Sequence, residues 1–112
     1  MSFTFAVKNE ILVVNVTEKR ATVEISSKLK EELLKKIDEG NQNVVIDLST
    51  SDFIDSSFLG ALVAGLKKAT MKSGDLKIVG LQAPVRAMFE LTRLYRIFDI
   101  FENQDEAVAS FS

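Results

Sequence analysis

The stretch VVIDLSTSDFIDSSFLGALV, residues 44–63, combines a strand, a loop and the start of a helix. Its first residues are β-branched and almost continuously apolar, which is typical of a parallel strand that is buried on both faces. The loop ends in Asp55, Ser56 and Ser57, three consecutive residues that favour the N-cap of a helix. A helix is predicted to follow and to end at Gly74. Because one cap is enough to begin a helix, the other two polar side chains need a separate explanation.

The rest of the chain alternates strands and helices around this stretch. Two strands, 3–8 and 11–16, are predicted first, with a tight turn at Asn9 and Glu10 between them. A helix capped by Ser26 or Ser27 and ending at Gly40 precedes the central strand. A buried strand at 75–81, a helix at 82–95, an edge strand at 96–101 and a closing helix complete the pattern. This order predicts an α/β fold in a single domain, residues 1–112, with a mixed, mostly parallel sheet of four to five strands and four helices.

Composition narrows the range of functions. The chain has 112 residues, a formal net charge of −2, no cysteine and no histidine. This charge gives no basis for a nucleic-acid or membrane partner, and no apolar run approaches the ~20 residues that span a bilayer. The N-terminus lacks the features of a signal peptide, so a cytoplasmic location is the default expectation. Without histidine or cysteine, no metal, no cofactor and no enzymatic activity are expected.

The acidic residues near the central strand permit two interpretations. Asp47, Asp52 and Asp55 could form a magnesium site or include a phospho-acceptor aspartate. Ordinary solvated loop acids are the favoured interpretation. A response-regulator receiver, which carries a phospho-acceptor aspartate, also needs an acidic pair after its first strand and a lysine after a late strand, and both are missing here. Serine nucleophile chemistry at Ser56 is disfavoured because no histidine is present to activate the hydroxyl.

The three consecutive caps also permit two interpretations. They can simply begin the helix, which the residue types alone favour. Alternatively, a serine at this position can accept a phosphate, which gains hydrogen bonds from the free N–H groups at a helix start. Such a phosphate adds negative charge beside Asp55 and repels a partner that fits the unmodified surface.

The sequence FIDSSFLGALV, which follows VVIDLS, resembles the signature of STAS domains, named for sulfate transporters and anti-sigma factor antagonists. The match lies at Asp55, Ser56, Ser57, Leu59 and Gly60, and the resemblance extends over essentially the whole chain. It implies a bacterial partner-switching regulator that binds an anti-sigma factor, itself a GHKL-type serine kinase. It further implies that this kinase phosphorylates Ser56 and thereby releases the domain, and that a PP2C-type phosphatase resets it.

Two departures from the family pattern affect the expected partner surface. Phe58 stands where the family usually has glycine, so it either blocks close approach or provides a new apolar anchor. The loop that is commonly acidic in the family reads Lys19-Arg20-Ala21-Thr22 here, with Thr22 at the position of the second acid. The expected partner-binding residues are Asp55, Ser57, Phe58, Leu59, Gly60 and Thr22. An alternative is a STAS scaffold that is never phosphorylated and binds a different protein, and the oligomeric state stays open.

Overall fold

In the computed structural model, which describes residues 2–112, five strands form one sheet in the order β1-β2-β4-β6-β7. Only β1 is antiparallel to its neighbour, and the other three pairings are parallel. These strands are β1 (Phe3–Lys8), β2 (Ile11–Val16), β4 (Asn43–Asp47), β6 (Asp75–Val79) and β7 (Ile100–Phe101). The predicted mixed, mostly parallel sheet is confirmed, as is the turn at Asn9 and Glu10, both of which have positive φ.

Four α-helices cover the two faces of the sheet unequally. They are α1 (Val23–Asp38), α2 (Ser56–Met71), α3 (Ala83–Leu91) and α4 (Gln104–Ala109). The first three pack on one face, where they enclose the main hydrophobic core. The short α4 lies on the other face over a much smaller apolar cluster. None of the helices within residues 2–112 is both long and apolar enough to span a membrane.

The helices α1 and α2 approach each other and the sheet closely at Gly65. A Cβ atom added there would lie 2.7 Å from a methyl carbon of Leu33 in α1 and 2.9 Å from one of Leu76 in β6. The absence of a side chain at Gly65 therefore allows α1, α2 and β6 to meet at one point. This contact fixes the position of α2, and hence of its first turn, against the core.

Two very short strands form a second sheet that the sequence pattern did not reveal. Strand β3 (Arg20–Ala21) pairs in parallel with β5 (Phe53–Ile54). The pairing is extended by hydrogen bonds from Asp52 N–H to Lys19 O at 2.8 Å and from Asp55 N–H to Ala21 O at 3.1 Å. Because of this pairing, the loop before α1 lies directly beside the loop before α2.

Three predicted boundaries were wrong. Helix α1 begins at Val23 with Thr22 as its N-cap, and this cap lies four to five residues before the expected caps Ser26 and Ser27. Helix α3 ends at Leu91 because Arg93 adopts the left-handed conformation, with φ of 60°. A 3-10 helix, Leu94–Arg96, follows, so the expected edge strand is reduced to the two residues of β7.

Candidate functional site at the starts of α1 and α2

The first turns of α1 and α2 lie side by side, at the carboxyl ends of the parallel strands. The pairing of β3 with β5 brings the two loops together, and both chains enter a helix immediately afterwards. Free backbone N–H groups and the positive end of each helix dipole are therefore concentrated in one place. The carboxyl ends of parallel strands are also where α/β proteins most often bind other molecules.

Asp55 connects the two helix starts through one carboxylate. Its Oδ1 accepts a hydrogen bond from the Phe58 N–H at 2.9 Å, which caps α2. Its Oδ2 accepts from the Val23 N–H at 2.8 Å, the first amide of α1. Thr22, the N-cap of α1, makes no capping hydrogen bond through its own side chain. Asp55 thus supplies the cap that Thr22 does not, and it holds the two helices in a fixed relation.

Ser56 and Ser57 occupy the first two positions of α2 and are exposed. Within residues 2–112, neither hydroxyl forms a hydrogen bond, and the capping role belongs to Asp55 alone. The backbone N–H groups of these two serines are among those that a helix cannot pair internally. The hydroxyl of Ser56 is consequently accessible beside amide donors that an anion could use.

Phe58 and Leu59 face the interior, so the interpretation that they contribute to a partner surface is wrong. Phe58 has no exposed surface, and Leu59 is 4% exposed. Phe58 shares one side of α2 with Ala61 and Leu62, and this side is buried. Phe58 therefore fills the interior and does not reach the outer surface of the turn.

A groove of about 330 Å³ separates the first turns of α1 and α2. Its lining residues are Val23, Ser26, Ser27, Lys30, Ser57, Gly60 and Ala61. Gly60 is exposed, and a Cβ atom placed on it would meet nothing within 4 Å. The fold itself does not require glycine at this position, and its absence of a side chain keeps the groove open.

Exposed apolar side chains beside the serines were missed from the sequence. Val23 is 58% exposed, and Phe53 is 39% exposed with the Arg20 guanidinium 4.1 Å from its ring centroid. Both belong to the segments that β3 and β5 bring together. Since β-strands of two residues have no recognisable period, only the isolated Phe53 in a polar loop could have indicated this surface.

Two of the three aspartates considered for a magnesium site have structural roles. Asp47 accepts hydrogen bonds from the Ser49 N–H at 2.8 Å and from the Gln104 side-chain amide at 2.6 Å. Asp55 binds the two helix starts. Across residues 2–112, no three carboxylate, histidine or cysteine side chains lie close enough together to hold a metal ion.

The model of the STAS domain family matches residues 2–107. The chain belongs to the STAS domain family. One relative, the proposed anti-sigma factor antagonist BtrV of Bordetella bronchiseptica, is 30% identical over 86 residues, which is 77% of this chain and 74% of BtrV.

Solved STAS-like structures share the fold over nearly the whole chain. A crystal structure of a proposed anti-sigma factor antagonist from Thermotoga maritima has a TM-score of 0.87 and 24% identity, covering 97% of this chain and 93% of that one. The phosphorylated form of SpoIIAA, a cell-fate determinant of Bacillus, has a TM-score of 0.77 and 15% identity, covering 98% and 99%. At these identities the likeness establishes the architecture of the STAS domain.

Proposed function

We propose that this STAS domain is an anti-sigma factor antagonist whose partner binding is switched off by phosphorylation of Ser56. The observation that carries the proposal is that the residues at the start of α2 have different structural roles. Asp55 and Phe58 are committed to the fold, whereas Ser56 is exposed and has no structural task within the described residues. The similarity to BtrV, which is itself described as an anti-sigma factor antagonist, supports the same role.

Addition of a phosphate to Ser56 is compatible with the fold. The modified side chain gains hydrogen bonds and a favourable interaction with the helix dipole at the start of α2. It also places about 1.5 to 2 further negative charges beside Asp55, on a solvent-exposed surface. The STAS fold of phosphorylated SpoIIAA supports the view that such a phosphate leaves the architecture intact.

The partner surface in this proposal surrounds Ser56 and differs from the one expected from the sequence. It consists of Ser57 and Gly60 in the groove, Thr22 at its edge, and the exposed side chains of Val23 and Phe53. A partner seated on this surface loses water around its own groups, so a new charge at Ser56 would face repulsion and desolvation together. The proposed partners are an anti-sigma factor that is a GHKL-type serine kinase and a PP2C-type phosphatase that reverses the modification, all in the bacterial cytoplasm.

Mass spectrometry of the intact protein tests the modification. The wild-type chain, Ser56→Ala and Ser57→Ala are each incubated with ATP and the GHKL-type kinase encoded in the same genome. We expect one phosphate on the wild type and on Ser57→Ala, and none on Ser56→Ala. Phosphate on Ser57 alone, or no phosphate on any form, would contradict the proposal.

A second function, that of a STAS scaffold without phosphorylation, is favoured by the basic loop beside the site. Lys19 and Arg20 are exposed next to the serines, where the family resemblance led us to expect acids. A partner that recognises this loop need not be a kinase. This alternative predicts that Ser56→Glu binds the partner as tightly as the wild type does.

A further inference from the structure

The two edges of the five-stranded sheet differ in how well they are protected. At one edge, β7 has only two residues and is flanked by the charged Asp99 and Glu102. At the other edge, β1 runs for six residues without a proline and without a break in its register to β2. Short strands and charged side chains are the usual means of preventing edge-to-edge pairing. The β7 edge has both, whereas β1 carries no charge before Lys8.

The hydrogen-bonding groups on the outer side of β1 can be identified from its pairing with β2. The Thr17 N–H donates to Ser2 O at 2.9 Å, so Ser2 and Thr17 are a hydrogen-bonded pair of the two strands. Because antiparallel residues alternate, Thr4, Ala6 and Lys8 direct their backbone groups toward β2. Phe3, Phe5 and Val7 therefore direct theirs outward, and no residue of the described chain pairs with them.

We propose that the β1 edge binds a second copy of this chain, with the two β1 strands antiparallel about a two-fold axis at Phe5. In this register Phe5 pairs with Phe5 of the second copy, and Phe3 of each copy pairs with Val7 of the other. All outward N–H and C=O groups of Phe3, Phe5 and Val7 are then satisfied, because these three residues have the same parity. Aromatic and β-branched side chains meet as cross-strand neighbours, which is a favourable combination in antiparallel sheets.

Side chains beside the edge support a second copy as the occupant. Val7 is 63% exposed although it is apolar. On α1, Lys36 lies 4.9 Å above the ring of Phe5, and Lys28 lines a cavity with Phe3. Between these lysines, Glu32 has a buried carboxylate oxygen without a hydrogen bond, since Lys28 Nζ is 3.9 Å away. This row contains both signs of charge, so it is complementary to itself across a two-fold axis.

The inference is independent of phosphorylation. Pairing of two β1 edges would join two five-stranded sheets into one. Each copy would retain its own Ser56, since the β1 edge contains no residue of the groove between α1 and α2. Loss of dimerisation would therefore leave the proposed phosphorylation untested, and the two proposals can fail separately.

Analytical ultracentrifugation of the purified chain over a range of concentrations tests the inference. The wild type is expected to form dimers, and Val7→Pro is expected to be monomeric. Proline at Val7 removes an outward N–H and no bond to β2, so far-UV circular dichroism should be unchanged. Val7→Lys places a charge in the proposed edge pairing and is also expected to be monomeric. Its control is Leu91→Lys, at an apolar residue 81% exposed at the end of α3, which should leave the dimer intact. A monomeric wild type, or a dimer that survives both Val7 variants, would overturn the proposal.

Amide hydrogen exchange provides a second test that does not depend on a variant folding. The amides of Thr4, Ala6 and Lys8 should be protected at every concentration because they bond to β2. Those of Phe5 and Val7 should become protected only as the concentration rises into the dimeric range. Rapid exchange of Phe5 and Val7 at all concentrations would show that the edge has no partner.

Discussion

One carboxylate connects α1 and α2 where the two helices begin, and another connects them where they end, but the two connections differ in kind. At the site end, which comprises Val23 and residues 55–60, Asp55 accepts hydrogen bonds from two backbone amides at 2.8 and 2.9 Å. At the far end, Asp38 is exposed and forms ion pairs with Lys68 at 3.0 Å and Lys72 at 3.6 Å. Bonds to backbone amides fix the position of a helix start, whereas exposed pairs of flexible side chains contribute little. The comparison indicates that the site end holds Ser56 rigidly and that the far end tolerates change.

Truncation of Phe58 should produce the largest loss of stability. Phe58 is fully buried at the site end, so Phe58→Ala leaves a cavity in the main core. We expect the free energy of unfolding to fall by about 3–5 kcal/mol, measured by denaturant titration. Met71→Ala, at an 80% exposed position near the far end, is the control and should change it by less than about 0.5 kcal/mol. Similar effects for both variants would remove the distinction between the ends.

Loss of the shared cap should have the next largest effect. Asp55→Ala leaves the Val23 amide of α1 and the Phe58 amide in the first turn of α2 without this acceptor. At about 1 kcal/mol for each cap, we expect a loss of about 2 kcal/mol in the free energy of unfolding. Amide exchange should accelerate at both Val23 and Phe58. If exchange accelerates only at the Phe58 amide, the hydrogen bond from Val23 to Asp55 does not stabilise the start of α1.

Substitution of Gly60 should stabilise the fold while it weakens partner binding. A methyl group at Gly60 meets no neighbour, so Gly60→Ala should raise the free energy of unfolding by up to about 1 kcal/mol. The same methyl group narrows the groove between α1 and α2. Gly65→Ala is the matched control in the same helix, and its contact with Leu33 and Leu76 should make it destabilising. Stabilisation with unchanged affinity for the anti-sigma factor would exclude the groove from the partner surface.

The far end should show the smallest effect, and it should depend on pH. The hydrogen bond from Lys68 holds the pKa of Asp38 below its ordinary value of 3.8. The stability that this carboxylate contributes is therefore fully present above that ordinary value and is lost as the pH falls through the lower pKa of the folded state. Asp38→Asn should lower the free energy of unfolding slightly at neutral pH, by an amount that shrinks as salt is added, and should remove a small part of its acid dependence. A large loss at neutral pH would contradict the proposed weakness of the far end.

The sequence was sufficient for the main sheet and the central helix because their residues carry clear periods. It also drew attention to Asp55 and Ser56, since three caps in succession exceed what one helix start needs, and phosphorylation of Ser56 stays a prediction. It failed at the start of α1, because the acceptor for Val23 comes from Asp55, 32 residues further along the chain. It also failed for Phe58, because a helical spacing shows which residues share a side but not whether that side faces the core. Contacts between distant segments decide both questions.

The affinity of the anti-sigma factor for the unmodified and the phosphorylated chain is the most direct test of the central claim. Isothermal titration calorimetry would compare the wild type with the wild type phosphorylated at Ser56, and Ser57→Ala would serve as the control for a neighbouring hydroxyl. We expect phosphorylation to weaken binding by about a hundredfold or more, since a like or unpaired charge in an interface costs several kcal/mol. Ser57→Ala should bind as the wild type does. Equal affinity of the phosphorylated and unmodified chains would contradict the account.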